Sequence, residues 1–229
     1  MEPLENGLCK AVLFDLDGTL VDTAPDMVAV LNDLQQAHDL SPVSYEVGRQ
    51  HVSNGALGLL AIGFPDRSHE FGSALHLEYL ERYARRVCES SCVFPGVHHL
   101  LDELDDAHRP WGVVTNKPAH LTDPLLEALS LAARSACTVS GDTVAARKPD
   151  PAPLLHACDL ADLEPRTTIY VGDASRDIEA GMNAGMPTIA AAYGYITPDD
   201  DPSGWGADRI AADTTELAQI VRKALNLDA

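Results

Sequence analysis

Four short apolar runs recur along this chain, at 10–15 (KAVLFD), 111–115 (WGVVT), 168–172 (TIYVG) and 188–192 (TIAAA), with a weaker one at 136–140. Runs this short cannot make stable helices. Their continuous apolarity, without alternation, predicts strands buried on both faces. Helical patterns separate them. Val97, Leu100, Leu101 and Leu104 follow the spacing of one helix face, and 150–159, 175–184 and 216–227 read as further helices. Strands alternating with helices predict an α/β fold: a parallel sheet flanked by helices.

One stretch breaks the rhythm. Residues 23–94 contain no convincing strand and read as an all-helical insertion placed directly after the first strand. Its first helix is predicted to start with Thr23 as N-cap, Pro25 in the first turn and Asp26 at the third position, with Val28, Leu31 and Leu34 on one side. A second long helical stretch is expected over 70–88, and Pro95-Gly96 punctuates the end of the insertion. The expected division is therefore a core of 1–22 and 95–229 and a cap of 23–94. At 229 residues the chain suits one core domain with a smaller insertion.

Charge narrows the partners. Sixteen Lys and Arg against 35 Asp and Glu give a formal charge of −19, which repels nucleic acid and anionic membranes. No run of about 18 apolar residues is present, so no membrane span is expected. The start, MEPLENGLCK, is acidic and lacks the apolar core of a secretory signal. Cys9, Cys88, Cys92, Cys137 and Cys158 are odd in number without zinc-type pairing, and read as reduced thiols of a cytoplasmic protein.

Four clusters carry chemistry, each at the C-terminal end of an expected strand, where open α/β sheets bind ligands. In DLDGTLVDT (15–23), Asp15 and Asp17 are two residues apart. A carboxylate can attack phosphorus, and a second one nearby can give and take a proton; a lone pair of this kind would read as a solvated turn. In VVTNK (113–117), a hydroxyl and the backbone N–H after it can hold phosphoryl oxygens, although the string also suits an ordinary turn. In RKPDP (147–151), Lys148 precedes a rigid helix start and can point inward, or form a surface basic pair with Arg147. In GDASRD (172–177), Asp173 and Asp177 offer hard oxygens suited to Mg²⁺, or simply cap a helix.

Together, the order and spacing of these motifs resemble the haloacid dehalogenase-like phosphohydrolase superfamily over nearly the whole chain. The helical insertion resembles that superfamily's cap domain, and the core is then Rossmann-like. The resemblance implies Asp15 as nucleophile and Asp17 as general acid and then base. It implies Thr115, Asn116 and Lys148 as phosphoryl-binding groups, with Lys148 balancing charge. The Mg²⁺ ligands it implies are Asp15, the backbone carbonyl of Asp17, Asp173 and Asp177, the last as a ligand or a partner of one. Dehalogenases generally lack the second aspartate, so phosphatase or phosphomutase chemistry is favoured. TLVDT, TNKP and RKPDP are similar to the phosphoglycolate phosphatase-like branch. Within it, WGVVTNKP and the tail YGYITPDDDPSGWGAD (193–208) resemble bacterial N-acetylmuramic acid 6-phosphate phosphatases of cell-wall recycling. The partner implied is a small phosphorylated metabolite, with phosphoglycolate as the alternative to the amino sugar. A non-catalytic binding protein on the same fold is the reading from another class. The chain is expected to be a monomer or homodimer.

Selectivity is expected from the cap, since the core reads only phosphoryl and metal. Ser53, Asn54 and Gly55 form a small polar stretch that could lean over the nucleophile. Arg49 could pair with a substrate carboxylate, or be a surface ion pair. His98-His99 point to different helix faces and read as ordinary helix histidines. Tyr79 and Tyr83 read as cap packing, and the acidic run 199–201 as a solvated loop.

Overall fold

The computed structural model describes residues 3–5, 7–67 and 70–227. Residues 1, 2, 6, 228 and 229 of the expected core, and 68 and 69 of the expected insertion, lie outside the described residues.

In chain order the elements are β1 (Ala11–Phe14), β2 (Val21–Asp22), α1 (Ala24–Ala37), α2 (Tyr45–Gln50), α3 (Gly55–Gly63), α4 (Ala74–Ala84), β3 (Cys92–Val93), α5 (Val97–Asp106), β4 (Trp111–Val114), α6 (Ala119–Ala128), β5 (Thr138–Val139), α7 (Ala152–Ala161), β6 (Thr168–Gly172), α8 (Ser175–Asn183), β7 (Thr188–Ala191), β8 (Arg209–Ala211) and α9 (Thr214–Leu225). Among the described residues six strands form one parallel sheet in the order β5-β4-β1-β6-β7-β8. Phe14 stands level with Val113 of β4 and Val171 of β6. The residues that follow, Asp15, Thr115 and Asp173, therefore leave the sheet along one edge.

Both faces of the central strands are covered, which explains their unbroken apolarity. Val12 and Phe14 share a core with Leu101 of α5, Leu125 of α6 and Val221 of α9. Leu13 faces the opposite way, toward Leu154 and Ala157 of α7 and Ala180 of α8. The inserted helices form a cap in which α1 packs on α2, α3 and α4. Val28, Leu31 and Leu34 are buried along α1, as their spacing predicts.

Several elements depart from the sequence reading. The insertion does hold a strand: β3 pairs antiparallel with β2, Val21 opposite Val93 and Asp22 opposite Cys92. Two residues are too few to show a period, so this ribbon, where the chain leaves and re-enters the core, leaves no pattern. α6 was hidden by Pro124 in its interior, since proline ordinarily breaks a helix. β8, RIA, is an edge strand with an exposed isoleucine. The stretch expected to be helical over 70–88 is helical only at Ala74–Ala84, where Ser73 caps the start by accepting from His76 N.

Thr23 does not cap α1 with its side chain. The start of the helix is closed from the core: Tyr195 OH accepts from Thr23 N at 2.6 Å and Ala24 N at 2.9 Å, and donates to Asp22 Oδ1 at 2.7 Å. The Thr23 hydroxyl is spent on Asp17 Oδ1 at 2.6 Å. The acidic run ending at Asp201 closes a local turn: Asp201 accepts from Ser203 N and Asp200 from Trp205 Nε1. His98 and His99 are exposed on α5.

Candidate active site

Asp15 follows β1 and is buried, its carboxylate accepting from Leu16 N at 2.8 Å. Lys148 arrives from the loop before α7 and is buried to 4% exposure. Its ammonium lies 2.8 Å from Asp15 Oδ1 and 2.8 Å from Asp177 Oδ1, with Val114 O and Tyr170 OH also in bonding range. Burial alone would lower the Lys148 pKa, but the charges of Asp15 and Asp177 override it and the ammonium is held above its ordinary value. A cis peptide bond joins Lys148 to Pro149. Asn116, expected to act through its backbone, also clamps this loop: its Oδ1 accepts from Lys148 N at 3.1 Å and its Nδ2 donates to Lys148 O at 3.2 Å. Thr115 is buried beside it, its hydroxyl oxygen accepting from Lys117 N.

Asp173 ends the β6 edge and Asp177 lies in the first turn of α8. Asp173 Oδ2 accepts from Tyr195 N at 2.8 Å and from Ser53 Oγ of the cap at 2.6 Å. Its carboxyl is pushed up to about 7, by burial first and then by the charges of Asp15 and Asp177. Asp177 is raised too, again mainly by burial, against the pull of Lys148. Two glycines make the crowding possible. A Cβ on Gly18, at φ +85°, would lie 2.1 Å from Asp173 Oδ2, and one on Gly194 would lie 2.3 Å from Asp173 Cβ.

The cluster fits a hard divalent cation. Asp15, Asp173 and Asp177 are all buried and offer oxygens within 4.8 Å of one another. Asp177 Oδ1 is buried and pairs with the Lys148 ammonium at 2.8 Å, which leaves it lone-pair capacity for a cation. Three buried carboxylates exceed what Lys148 alone can neutralise, and oxygen-only donors suit Mg²⁺ or a similar ion. The Asp17 carboxylate is not in this group. It faces the cap side, its Oδ1 accepting from Thr23 Oγ1 and, at 3.0 Å, from Lys117 Nζ.

A cavity of about 530 Å³ opens between core and cap. Asp15, Asp17, Thr115 and Asn116 line its core side; Ser53, Asn54 and Gly55 line its cap side. These expected residues are thus brought together. Arg49 is not: it is absent from the lining, and its guanidinium donates to Gly194 O at 3.1 Å and Tyr193 O at 3.3 Å while lying 4.9 Å from the Tyr195 ring centre. Among the described residues Arg49 makes no surface ion pair either; two core carbonyls take its donors. The YGY start of the 193–208 tail therefore binds the cap arginine, the start of α1 and Asp173, and lies outside the cavity wall.

Sequence reasoning missed three contributors. Lys117, 8% exposed, bridges Asp17 and the cap's Tyr83 hydroxyl at 2.9 Å. Arg176 reaches Ser53 O and Asn54 Oδ1 in the cap; burial works against its charge, but Asp177, Asp15 and Asp173 hold its pKa up. Arg147 also lines the cavity. Lysine scarcity was a usable signal for Lys117: only Lys10, Lys117, Lys148 and Lys223 exist in the chain.

The family model for haloacid dehalogenase-like hydrolases matches residues 12–191, from β1 through β7. The chain belongs to this family. Relatives include an N-acetylmuramic acid 6-phosphate phosphatase of Pseudomonas putida, 42% identical over 217 residues, covering 94% of this chain and 97% of the relative. A phosphoglycolate phosphatase of Xylella fastidiosa is 41% identical over 209 residues, covering 91% of each. Among solved structures, that of a predicted phosphoglycolate phosphatase from Haemophilus somnus superposes with a TM-score of 0.81 at 26% identity, over 93% of this chain and 98% of that one. The inserted helices are the cap of this hydrolase, and the Asp15–Asp173–Asp177 cluster lies at the sheet edge beneath it. Among the described residues no helix of the hydrolase is long and apolar enough to cross a membrane.

Proposed function

We propose that the protein is a Mg²⁺-dependent phosphatase of a small phosphate monoester. The observation that carries this reading is the position of Asp15: buried, beside Lys148, at the floor of a cavity whose roof is the cap. The Asp15 carboxylate attacks phosphorus as the ester P–O bond breaks, and Asp17 delivers a proton to the departing oxygen. Asp17, now a carboxylate, takes a proton from water, which attacks the phosphorus of the aspartyl-phosphate and releases inorganic phosphate and free Asp15. Thr115, the Asn116 backbone N–H and Lys148 hold the phosphoryl oxygens. Asp15, Asp173, Asp177 and the Asp17 backbone carbonyl would hold Mg²⁺, which supplies charge to offset carboxylates meeting an anionic phosphate. The cap assigned to 23–94 closes the site, with Ser53 hydrogen-bonded to Asp173.

The substrate we favour is N-acetylmuramic acid 6-phosphate, hydrolysed in the cytoplasm to N-acetylmuramate during peptidoglycan recycling. In its support, two relatives of that activity are 42% identical, and a cavity of about 530 Å³ with Tyr79, Tyr83 and Leu80 in its wall exceeds the needs of a two-carbon acid. Phosphoglycolate is the second reading, favoured by relatives at 41% identity. Phosphate release from both esters and from glucose 6-phosphate, with Mg²⁺ or EDTA, tests this. A preference in kcat/KM for the muramyl ester, lost in EDTA and in Asp15→Asn, supports the reading. Preference for phosphoglycolate keeps the mechanism and replaces the substrate. No phosphate release from any ester removes the phosphatase and leaves a mutase or a binding role.

A further inference from the structure

The cavity has a depth axis that burial makes legible. Asp15, Thr115 and Lys117 at its floor are all buried, whereas Phe71, His120 and Arg147 in the same lining are exposed, Phe71 to 72%. The exposed set marks the mouth, where the Arg147 guanidinium carbon lies 5.8 Å from the Phe71 ring centre. That contact spans core and cap.

Among the described residues three strong cations line the cavity, and their partners differ. Lys117 is neutralised by Asp17 at 3.0 Å. Arg176 is committed to the Ser53 carbonyl and Asn54 and sits in the field of the metal-site carboxylates. Arg147 donates only through Nε, to Gly141 O at 2.8 Å. Its two terminal nitrogens have no hydrogen-bond or ion-pair partner among the described residues. Asp142, the acid beside it in the lining, is used by Ala119 N at 2.8 Å. A guanidinium that lines the cavity with both terminal nitrogens unpaired among the described residues, and with an aromatic ring beside it, suits a planar anion on two donors.

We propose that Arg147 reads a carboxylate on the leaving group of the substrate, at the end remote from the ester oxygen. The inference rests on the phosphatase reading of the cavity and names the part of the substrate that reaches the mouth. In a two-carbon phospho-acid the carboxylate is bonded to the ester carbon and stays near the floor. In a sugar acid phosphorylated on its primary hydroxyl and carrying an ether-linked acid across the ring, the carboxylate extends outward toward the rim. The role first considered for Arg49 thus passes to Arg147, since Arg49 is held by two core carbonyls outside the cavity.

The test compares N-acetylmuramic acid 6-phosphate with N-acetylglucosamine 6-phosphate, which has the same ring and phosphate without the ether-linked acid. Wild type and Arg147→Ala are assayed for phosphate release, with Arg147→Gln as a second variant should alanine fold poorly. The ratio of kcat/KM between the two esters should fall about tenfold or more in Arg147→Ala, mainly through KM on the acid substrate. Arg147→Lys, which keeps the charge and loses the fork, should fall between. A purely structural role for Arg147 would lower both esters together and leave the ratio unmoved, which overturns the inference. A wild-type enzyme that releases phosphate from the muramyl ester without preferring it overturns it as well, while the phosphatase reading stands. No release from the muramyl ester by wild type overturns the substrate reading and this inference together, and release from phosphoglycolate in the same assay shows the chemistry intact.

Discussion

Replacing Asp173 by Asn should stabilise the metal-free protein while abolishing its metal response. In the fold the Asp173 carboxyl is raised from its ordinary value of 3.8 to about 7, because it is buried against Asp15 and Asp177. At about 1.4 kcal/mol for each tenfold change in proton affinity, this charge costs roughly 4 kcal/mol above pH 7. An acid whose folded pKa is raised destabilises fully above that pKa, and the cost is released as pH falls toward the unfolded value. Asparagine removes the charge and keeps one acceptor for Ser53 Oγ and Tyr195 N. Weaker bonds from these donors, and loss of the 3.4 Å contact from Thr19 Oγ1, give back about 2 kcal/mol. The net gain of about 2 kcal/mol should raise Tm by roughly 4–8 °C for a chain of this size. Calorimetry in EDTA at pH 8 and at pH 5 reads it. The variant should melt above wild type at pH 8, with the gap shrinking at pH 5. Added Mg²⁺ should raise the wild-type Tm and leave the variant unmoved. A variant that melts lower than wild type at pH 8, or a gap indifferent to pH, refutes the electrostatic reasoning.

Lys148→Met should act in the opposite direction, since it strips the counter-charge from Asp15 and Asp177; we expect a loss of about 3–5 kcal/mol in urea titrations at pH 8, alongside loss of phosphate release. Tyr195→Phe leaves Thr23 N and Ala24 N without their acceptor at the start of α1, and should cost about 1–3 kcal/mol. An unchanged urea midpoint would show that water replaces the hydroxyl. Lys117→Met frees Asp17 from its cation and Tyr83 from its donor. It should lower kcat by about 10–100-fold, an effect on the scale of general acid–base catalysis, and wild-type turnover would remove Lys117 from the mechanism.

The strands, their order of chemistry and the inserted cap were determined by the sequence, for a local reason. Each central strand is buried on both faces, so AVLF and WGVV are apolar throughout and TIYVG nearly so, and the polar residue that follows each run must sit at the sheet edge. That logic places Asp15, Thr115 and Asp173 together without any coordinate. It does not extend to elements with no local period. The β2–β3 ribbon is two residues per strand, and Pro124 masks α6.

Tertiary structure decided which partners the long cations and the hydroxyls meet. Arg49 looked free to meet a substrate, and the fold gives it the carbonyls of Tyr193 and Gly194 instead. Thr23 looked like a helix cap, and Asp17 takes its hydroxyl because Tyr195, 172 residues away in sequence, closes the helix. Arg147 looked like half of a surface basic pair, and the cap brings Phe71 over it at the cavity mouth. A long side chain on a loop has several partners within reach. Where the cap packs on the core, desolvation selects among them by favouring donors and acceptors that can be paired, as for Arg49 and Thr23; at the exposed mouth Arg147 keeps its terminal nitrogens unpaired among the described residues.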